Sequence, residues 1–469
     1  MIILFLVVSS SLALAQDDSS AIQPCAKNPW YWQYQGKPVV LIGGSDNDNL
    51  YQWTGKQLTD HLDLMVSVGG NYVRNTMSDR DQGNIYAFKK LKDGKYDLNQ
   101  WSDDYRNKLV FFLDETKKRD IIVQLTLWDW FDIRRRSWPH HPWNPKNNIN
   151  MPVGSVDSRD VFYNSVKDNN KKLLEFQRRY IETLLSITLK YNHVIYNINN
   201  ESSVGRDWEN YWAEFIHRTA GKKGRRVNVT SMQLDPSQAV RLVLSYPKLY
   251  SYIDISQNCQ DSRGGRGHSH WENIMYWRGM VASQVAGPVP MNNVKIYGSG
   301  EGLNYSAGTG KEAEARLWRN IFGGCASGRF HRSEGNWGLG LNERAQLNLR
   351  AVRVLLKELD IFSCKPHNDL LFVKTPVRSV IEAYCMANIG SQYAVYFPTG
   401  HYAVDIDPWV LAEKLKLKWL DIETGTWSDE KVVPVIWEGD HREWGWRGRV
   451  YLKTPGNRAC VAFLNVIYN

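Results

Sequence analysis

The sequence predicts an α/β fold, a (β/α)₈ TIM barrel followed by a small C-terminal antiparallel β-sandwich. Three observations lead there. Short β-like runs alternate with amphipathic helices through the first three quarters of the chain. From about Pro366 the helical pattern stops and alternating segments take over. The length, 469 residues, exceeds one ordinary domain and asks for a large unit plus a smaller one.

Eight β-like runs can be counted: residues 39–44 (VVLIGG), 71–74 (NYVR), 121–128 (IIVQLTLW), 194–199 (VIYNIN), 227–231 (VNVTS), 252–256 (YIDIS), 294–298 (VKIYG) and 326–331 (ASGRFH). Between them lie helical patterns such as QLTDHLDLMVSVGG and DYRNKLVFFLDETKKRD. A third, NNKKLLEFQRRYIETLLSITLKY, sets Leu174, Ile181, Leu184 and Leu185 on one face. Strand–helix alternation implies parallel strands, because parallel neighbours need crossovers. Eight repeats favour closure into a barrel. The first and third runs are largely apolar, as strands buried on both faces should be. A doubly wound sheet is disfavoured, since no G-x-G-x-x-G follows the first run.

The chain opens MIILFLVVSSSLALAQ, an apolar run too short to span a membrane that ends in small residues. It reads as a signal peptide cut near Ala15, which makes the mature protein secreted and soluble. The expected organisation is therefore a leader over 1–15, a barrel over 16–365 and the sandwich over 366–469. Ahead of the barrel, WYWQYQGKPVV reads as a hairpin turning at Gln35-Gly36-Lys37 and covering the barrel base. Residues 129–169, with RRRSWPHHPWNPKNNINMP, read as a long polar insertion facing substrate. The C-terminal segments SVIEAYCMA, QYAVYFP, YAVDID, KLKWLDIETGTW, GRVYLKTP and ACVAFLNVI have strand-like spacing. Trp419, Trp427, Trp444 and Trp446 there are either packed or a stacking surface, packing being favoured.

Six cysteines in an exported chain permit disulfides, with Cys364–Cys385 preferred for their proximity. None has metal-ligand spacing, and no metal or other cofactor is expected. The net charge of +9 is scattered, with no nucleic-acid-binding motif beside it. Nucleic acid and membrane are thus set aside as partners. A cationic surface would steer an anionic polysaccharide, and twenty tryptophans offer apolar faces on which sugar rings stack.

Barrel sites lie at the carboxyl ends of the strands. The polar residues that follow each run are the candidates. Asp46 follows the first, with Ser45 and Asp48; Arg74 ends the second; Trp128 and Asp129 end the third, with Trp130 next to them. Asn200 and Glu201 end the fourth. Asn258, His268 and His270 follow the sixth, Glu301 the seventh and His331 the eighth. Glycoside hydrolysis needs two carboxyls, one to protonate the departing oxygen and one to attack or activate water. Glu201 and Glu301 lie on roughly opposite strands. The acid requires a raised pKa, which burial and an anionic neighbour supply.

The segment YNINNES, with Asn200-Glu201 closing the fourth strand, resembles the large clan of retaining (β/α)₈ glycoside hydrolases. The likeness implies Glu201 as acid/base, Glu301 as nucleophile and Arg74 as its support. NPWYWQYQGKPVVLIGGS, NNVKIYGSGEGLN and LWRNIFGGCASGRFHR resemble cellulase-like proteins with a C-terminal β-sandwich, over nearly the whole mature chain. The match at the seventh strand is poorer, because Glu301 sits past Tyr297 on a glycine-rich stretch. If Glu301 does not serve, Asp129 or Asp254 takes its place or the mechanism is a different one. Asn258, His268, His270, His331, Asp46, Asp129, Asn200 and Trp128 are expected substrate contacts. The competing readings are a polysaccharide lyase acting on uronic acids and an inactive glycan-binding barrel. Asn200-Glu201-Ser202 matches a glycosylation sequon but faces the pocket; Asn304-Tyr305-Ser306 is the better acceptor.

Overall fold

The computed structural model describes residues 19–469 apart from 79–80, 82, 134–136, 261–268, 285, 300–306, 374–380 and 439–446, and the last residue. Eight parallel strands form the barrel: β1 (Leu41–Gly44), β2 (Tyr72–Thr76), β3 (Ile122–Asp129), β4 (Val194–Asn200), β5 (Val229–Thr230), β6 (Ile253–Asp254), β7 (Met291–Asn292) and β8 (Ser327–Phe330). The ladders β2–β3–β4–β5, β6–β7 and β8–β1 are parallel. Backbone bonds join these arcs, among them Asn71 N–H to Ile42 C=O, Ser251 N–H to Val229 C=O, and Ala326 N–H to Met291 C=O. The sheet thereby closes on itself and leaves no edge strand.

Helices α1 (Gly55–Ser67), α2 (Asp103–Lys118), α3 (Lys171–Thr188), α4 (Arg206–Gly221), α5 (Pro236–Ser245), α6 (His270–Ala282), α7 (Gly310–Phe322) and α8 (Glu343–Leu356) follow the strands. Their starts are chemically marked. Ser102 accepts the Tyr105 N–H, Asn170 the Leu173 N–H, Asp235 the Ser237 N–H and Asn342 the Ala345 N–H. On α3 the buried stripe contains Leu174, Ile181, Leu184 and Leu185, as the periodicity predicts.

The hairpin pairs Trp32–Tyr34 with Lys37–Val39 through Gln35 and Gly36, both at positive φ. Two positive-φ residues give the twist that a tight hairpin needs. Trp32 is wholly buried under the barrel, in one cluster with Leu41, Tyr72, Ile122 and Ile195 from the strand starts and with Val294 after β7. Its indole N–H donates to Asn292 Oδ1 at 2.9 Å. The apolar bottom layer thus gives way upward to a polar interior.

The 129–169 insertion differs from the substrate-facing loop expected. It contains short helical turns at Trp138–His140 and Pro145–Asn147 and a helix at Arg159–Tyr163. Trp143 and Phe162 are buried against Trp128 and Tyr180. His141 is buried, which pushes its pKa down to about 3. The aromatic side chains Trp143 and Phe162 meet a partner surface on α3, so this part packs, while Ile149 and Val153 stay exposed.

The C-terminal part has two antiparallel sheets. The larger contains β9 (Tyr384–Asn388), β10 (Gln392–Phe397), β12 (Lys414–Asp421) and β14 (Cys460–Val466); the smaller contains β11 (Ala403–Ile406) and β13 (Arg447–Lys453). Alternate residues of the larger sheet face opposite ways. Cys385, Val395 and Ala462 enter a core shared with Val404, Ile406 and Leu452 of the smaller sheet. Tyr384, Met386, Tyr396 and Phe463 turn to the barrel core. Trp318 of α7 stacks on Tyr396 at 5.4 Å. Both faces of that sheet are therefore buried. Trp419 and Trp427 pack against these cores, while Trp444 and Trp446 lie outside the described residues.

The disulfide expectation fails. All six cysteines are free and buried, Cys364 and Cys385 included. Cys385 points into the sandwich core, so proximity in sequence does not bring the two sulfurs together. The expected leader lies outside the described residues, among which no helix is long and apolar enough to cross a membrane.

Candidate active site at the carboxyl end of the barrel

Strand β4 ends at Asn200, and Glu201 follows at φ +49°. A non-glycine residue in the left-handed region costs on the order of 1–3 kcal/mol and needs its surroundings to hold it. Several bonds do so. Ser202 N–H donates to Met232 C=O at 3.1 Å and Leu234 N–H to Ser202 C=O at 3.0 Å. The Ser202 hydroxyl donates to Glu209 Oε1 at 2.6 Å, and Gln233 Nε2 to Glu209 Oε2 at 2.7 Å. Glu209, on the first turn of α4, is buried, and that burial raises its pKa against these hydrogen bonds. The ends of β4 and β5 are locked together, and the Glu201 backbone is fixed by that lock.

The Glu201 side chain is buried and accepts from two groups of the β7 extension. Lys295 Nζ donates to Oε1, and the Tyr297 hydroxyl reaches the same oxygen at 3.2 Å. Lys295 also donates to Asn200 Oδ1 at 2.6 Å, and Arg74 Nη2 donates to that oxygen at 2.8 Å. Asn200 Nδ2 donates to Asp129 Oδ1 at 3.0 Å. Strands two, three, four and seven therefore meet at one amide, with Glu201 at its edge.

Asp48 organises the opposite side. It lies 3.1 Å from Arg74 Nη1, 3.6 Å from Arg329 Nη2, 3.7 Å from Arg332 Nε and 3.5 Å from His331 Nδ1. The His331 ring packs on Tyr297 at 4.5 Å. Burial would raise the Asp48 carboxyl, but His331, Arg74, Arg329 and Arg332 outweigh it and hold it well below the usual range. Burial pushes the His331 pKa well below its ordinary value, with Asp48 opposing and Lys295, Arg332 and Arg329 adding to the effect.

The electrostatics of Glu201 reverse the sequence expectation. Burial does favour the neutral acid, but the charge and hydrogen bond of Lys295, then Arg74, outweigh it and lower the pKa; Asp129 opposes them. Lys295 in turn is pushed down to about 8 by burial, with Glu201 holding it up and Arg74 pushing it lower. The resting pair is a carboxylate and an ammonium.

The expected contacts divide. Arg74, Asp129, Asn200, Glu201 and His331 gather in this cluster. Asp46 sits at the rim, where Oδ1 accepts from the Ser333 hydroxyl at 2.6 Å and Leu341 N–H at 3.0 Å. It ties β1 to the β8 loop, and Asp48, two residues on, takes the central position. Three expectations need correction. Trp128 is no sugar platform: it points outward, and its ring packs on Trp143, Phe162, Tyr180, Trp208 and Trp212. His270 is wholly buried at the start of α6, beside Arg316 and Arg319, where substrate has no access. Asn258 is spent on structure, with Nδ2 on His270 C=O and Oδ1 on Asn273 Nδ2, both at 3.0 Å. Glu301 and His268 lie outside the described residues. Of the substitutes for Glu301, Asp129 touches the cluster, whereas Asp254 sits deeper, with Oδ2 on Gln124 Nε2 at 2.6 Å.

Lys295, Tyr297 and Arg329 were not selected from sequence. One signal existed: a lysine inside the otherwise apolar run VKIYG has no reason to be there unless it meets an anion. A cavity of about 570 Å³ opens between the segments that follow β4 and β5 and helices α4 and α5, lined by Ser202, Gly205, Arg206, Gln233, Asp235 and Arg241 among others; the Glu201 cluster does not line it.

No protein-family model matches the sequence, and no curated protein matches it either. The fold is similar to a glycoside hydrolase family 5 structure from Bacteroides vulgatus, at 10% identity over 96% of this chain and 94% of that one, with TM-score 0.65. It is equally similar to a structure described as a glycoside hydrolase, at 10% identity over 96% and 97%, TM-score 0.65. A glycoside hydrolase family 5 mannosidase from Rhizomucor miehei matches 72% of this chain with 98% of its own, at 12% identity and TM-score 0.51. At these identities the likeness is one of fold: a TIM barrel of the kind found in family 5 glycoside hydrolases, with a C-terminal antiparallel sheet region.

Proposed function

We propose that the protein is a secreted glycoside hydrolase that cleaves poly- or oligosaccharides at the barrel mouth, with Glu201 as its proton-transferring carboxylate. The observation that carries this reading is Glu201 itself: a buried carboxylate at the exit of the fourth strand, in a locked left-handed backbone, reached by Lys295 and Tyr297. Structural strain held this firmly is a feature of functional sites. Glu301, after β7, is proposed as the nucleophile of a retaining reaction, which requires it about 5 Å from Glu201. Arg332 at the rim, with the net charge of +9, suits an anionic polysaccharide.

A second reading has an observation of its own. Lys295, pushed down to about 8, is a base available near neutrality, and Arg332 at the rim could neutralise a uronic carboxylate. That would be the chemistry of a lyase. One experiment separates the two: incubate the protein with plant, algal and microbial polysaccharides, and read reducing ends together with ultraviolet absorbance. New reducing ends without absorbance are expected. An unsaturated product, absorbing as it forms, would replace hydrolysis by elimination. Glu201→Gln should lower turnover about 10²–10⁴-fold, the usual worth of general acid–base catalysis. Full turnover by that variant would remove Glu201 from the mechanism.

A further inference from the structure

Lys295 is an odd residue to bury if its task is only to carry charge. Arginine keeps its proton under all ordinary conditions and binds carboxylates in a fixed fork; lysine is the cation that can give its proton up. Lys295 is 2% exposed, and its ammonium is divided between Asn200 Oδ1 and Glu201 Oε1. Charged and titratable groups face it from every side: Arg74 from β2, Asp48 from β1, Asp129 of β3 through Asn200, and Glu201 from β4. His331, Arg329 and Arg332 follow from β8, and Tyr297 lies on its own strand extension. Two things stand together here. The carboxylate proposed to deliver a proton rests without one, and the ammonium on that same oxygen has one to spare.

We propose that Lys295 and Glu201 share one transferable proton, Lys295 supplying through Glu201 the proton that the departing glycosidic oxygen takes. This rests on the hydrolase reading and adds a residue to it. The step balances. An N–H bond of the ammonium breaks as an O–H bond forms on Glu201. That O–H breaks as the leaving oxygen gains the proton; the glycosidic C–O electron pair stays on that oxygen while the nucleophile of the retaining reaction bonds to the anomeric carbon. Lys295 is left a neutral amine. In the second half, the attacking water gives one proton to Glu201, which returns it to Lys295. Covering the mouth with substrate helps the transfer, because a separated ion pair costs more once water is excluded, and the neutral pair costs less. Lys295 acts through Glu201 and positions the proton.

The test uses the full-length protein with Lys295→Arg and Lys295→Met, each checked for folding by circular dichroism. The Glu201 carboxyl is titrated by difference infrared spectroscopy against Glu201→Gln. Removing the ammonium in Lys295→Met should shift Glu201 to higher pH, and Lys295→Arg should not. Identical Glu201 titrations in wild type and Lys295→Met would overturn the pair whether or not a glycan is cleaved. On a glycan that the wild type hydrolyses, kcat/KM should fall as pH rises through about 8, where Lys295 loses its proton. Lys295→Arg should lose about 10²-fold or more in kcat with KM little changed, and Lys295→Met should be active only at acid pH, where Glu201 holds its own proton. If Lys295→Arg restored the wild-type pH profile and kcat, Lys295 would be a counter-ion and no more. If no glycan is cleaved, the hydrolase reading fails and the proton transfer with it, while the infrared titration still reports whether the two groups are coupled.

Discussion

Replacing Asp48 should unfold the barrel mouth more than any other single carboxylate change there. Asp48 lies within ion-pair distance of Arg74 and Arg329, both with side chains 0% exposed, and of Arg332 at the rim. Arg74 keeps a hydrogen bond to Asn200, and Arg329 one to the Val294 carbonyl at 2.7 Å, but neither of these carries charge. Asp48→Ala therefore leaves two guanidinium groups, both buried, without the carboxylate that faces them. Breaking a buried pair from one side costs about 3–5 kcal/mol. Asp48→Asn keeps an acceptor and should lose less, about 1.5–3 kcal/mol, the worth of a hydrogen bond to a charged group. Net stabilities of about 5–15 kcal/mol make the alanine change close to disabling. Urea unfolding followed by tryptophan fluorescence and circular dichroism measures it, coincident transitions licensing a free energy. The pH dependence gives a second reading. The Asp48 pKa is depressed in the fold, so its contribution is fully present above the unfolded value, about 3.9. It is lost as pH falls through the folded value. The gap between wild type and Asp48→Asn should thus be constant from neutrality to about pH 5 and shrink only in stronger acid. An alanine variant within about 0.5 kcal/mol of wild type would refute the argument, since Arg74 and Arg329 would then have found other compensation.

Two further outcomes follow from the corrected expectations. Trp128→Ala should cost about 3–5 kcal/mol of stability by calorimetry, because its ring fills the space between β3, α3 and α4; a variant that melted with the wild type yet lost glycan binding would reinstate the platform role. Six thiols per chain should react with a thiol reagent in denaturant without prior reduction, and few or none in the native state, where burial pushes Cys325, Cys364 and Cys460 up to about 12. A deficit in denaturant would mean that a disulfide forms after all.

The sequence by itself determined the barrel. Amphipathic stripes and apolar runs are local patterns, and the crossover rule turns their alternation into parallel strands whatever the details. Counting strands was enough to put Glu201 at the mouth, since the end of a strand is a position along the chain. Tertiary structure decided which neighbours that carboxylate has. Lys295 lies 94 residues away and reaches Glu201 only because the ring of strands closes. Nothing local distinguishes Asp46 from Asp48; the arginines of β2 and β8 make the choice. The direction of Trp128 was equally hidden, because β3 is buried on both faces and its alternation carries no polar mark. Disulfide pairing depends on where Cβ atoms meet in space, and the two sheets send Cys385 into their own core. The protonation of Glu201 is the plainest case. Its residue type and strand position are written in the chain, but its charge is set by an ammonium that only the closed barrel brings into contact.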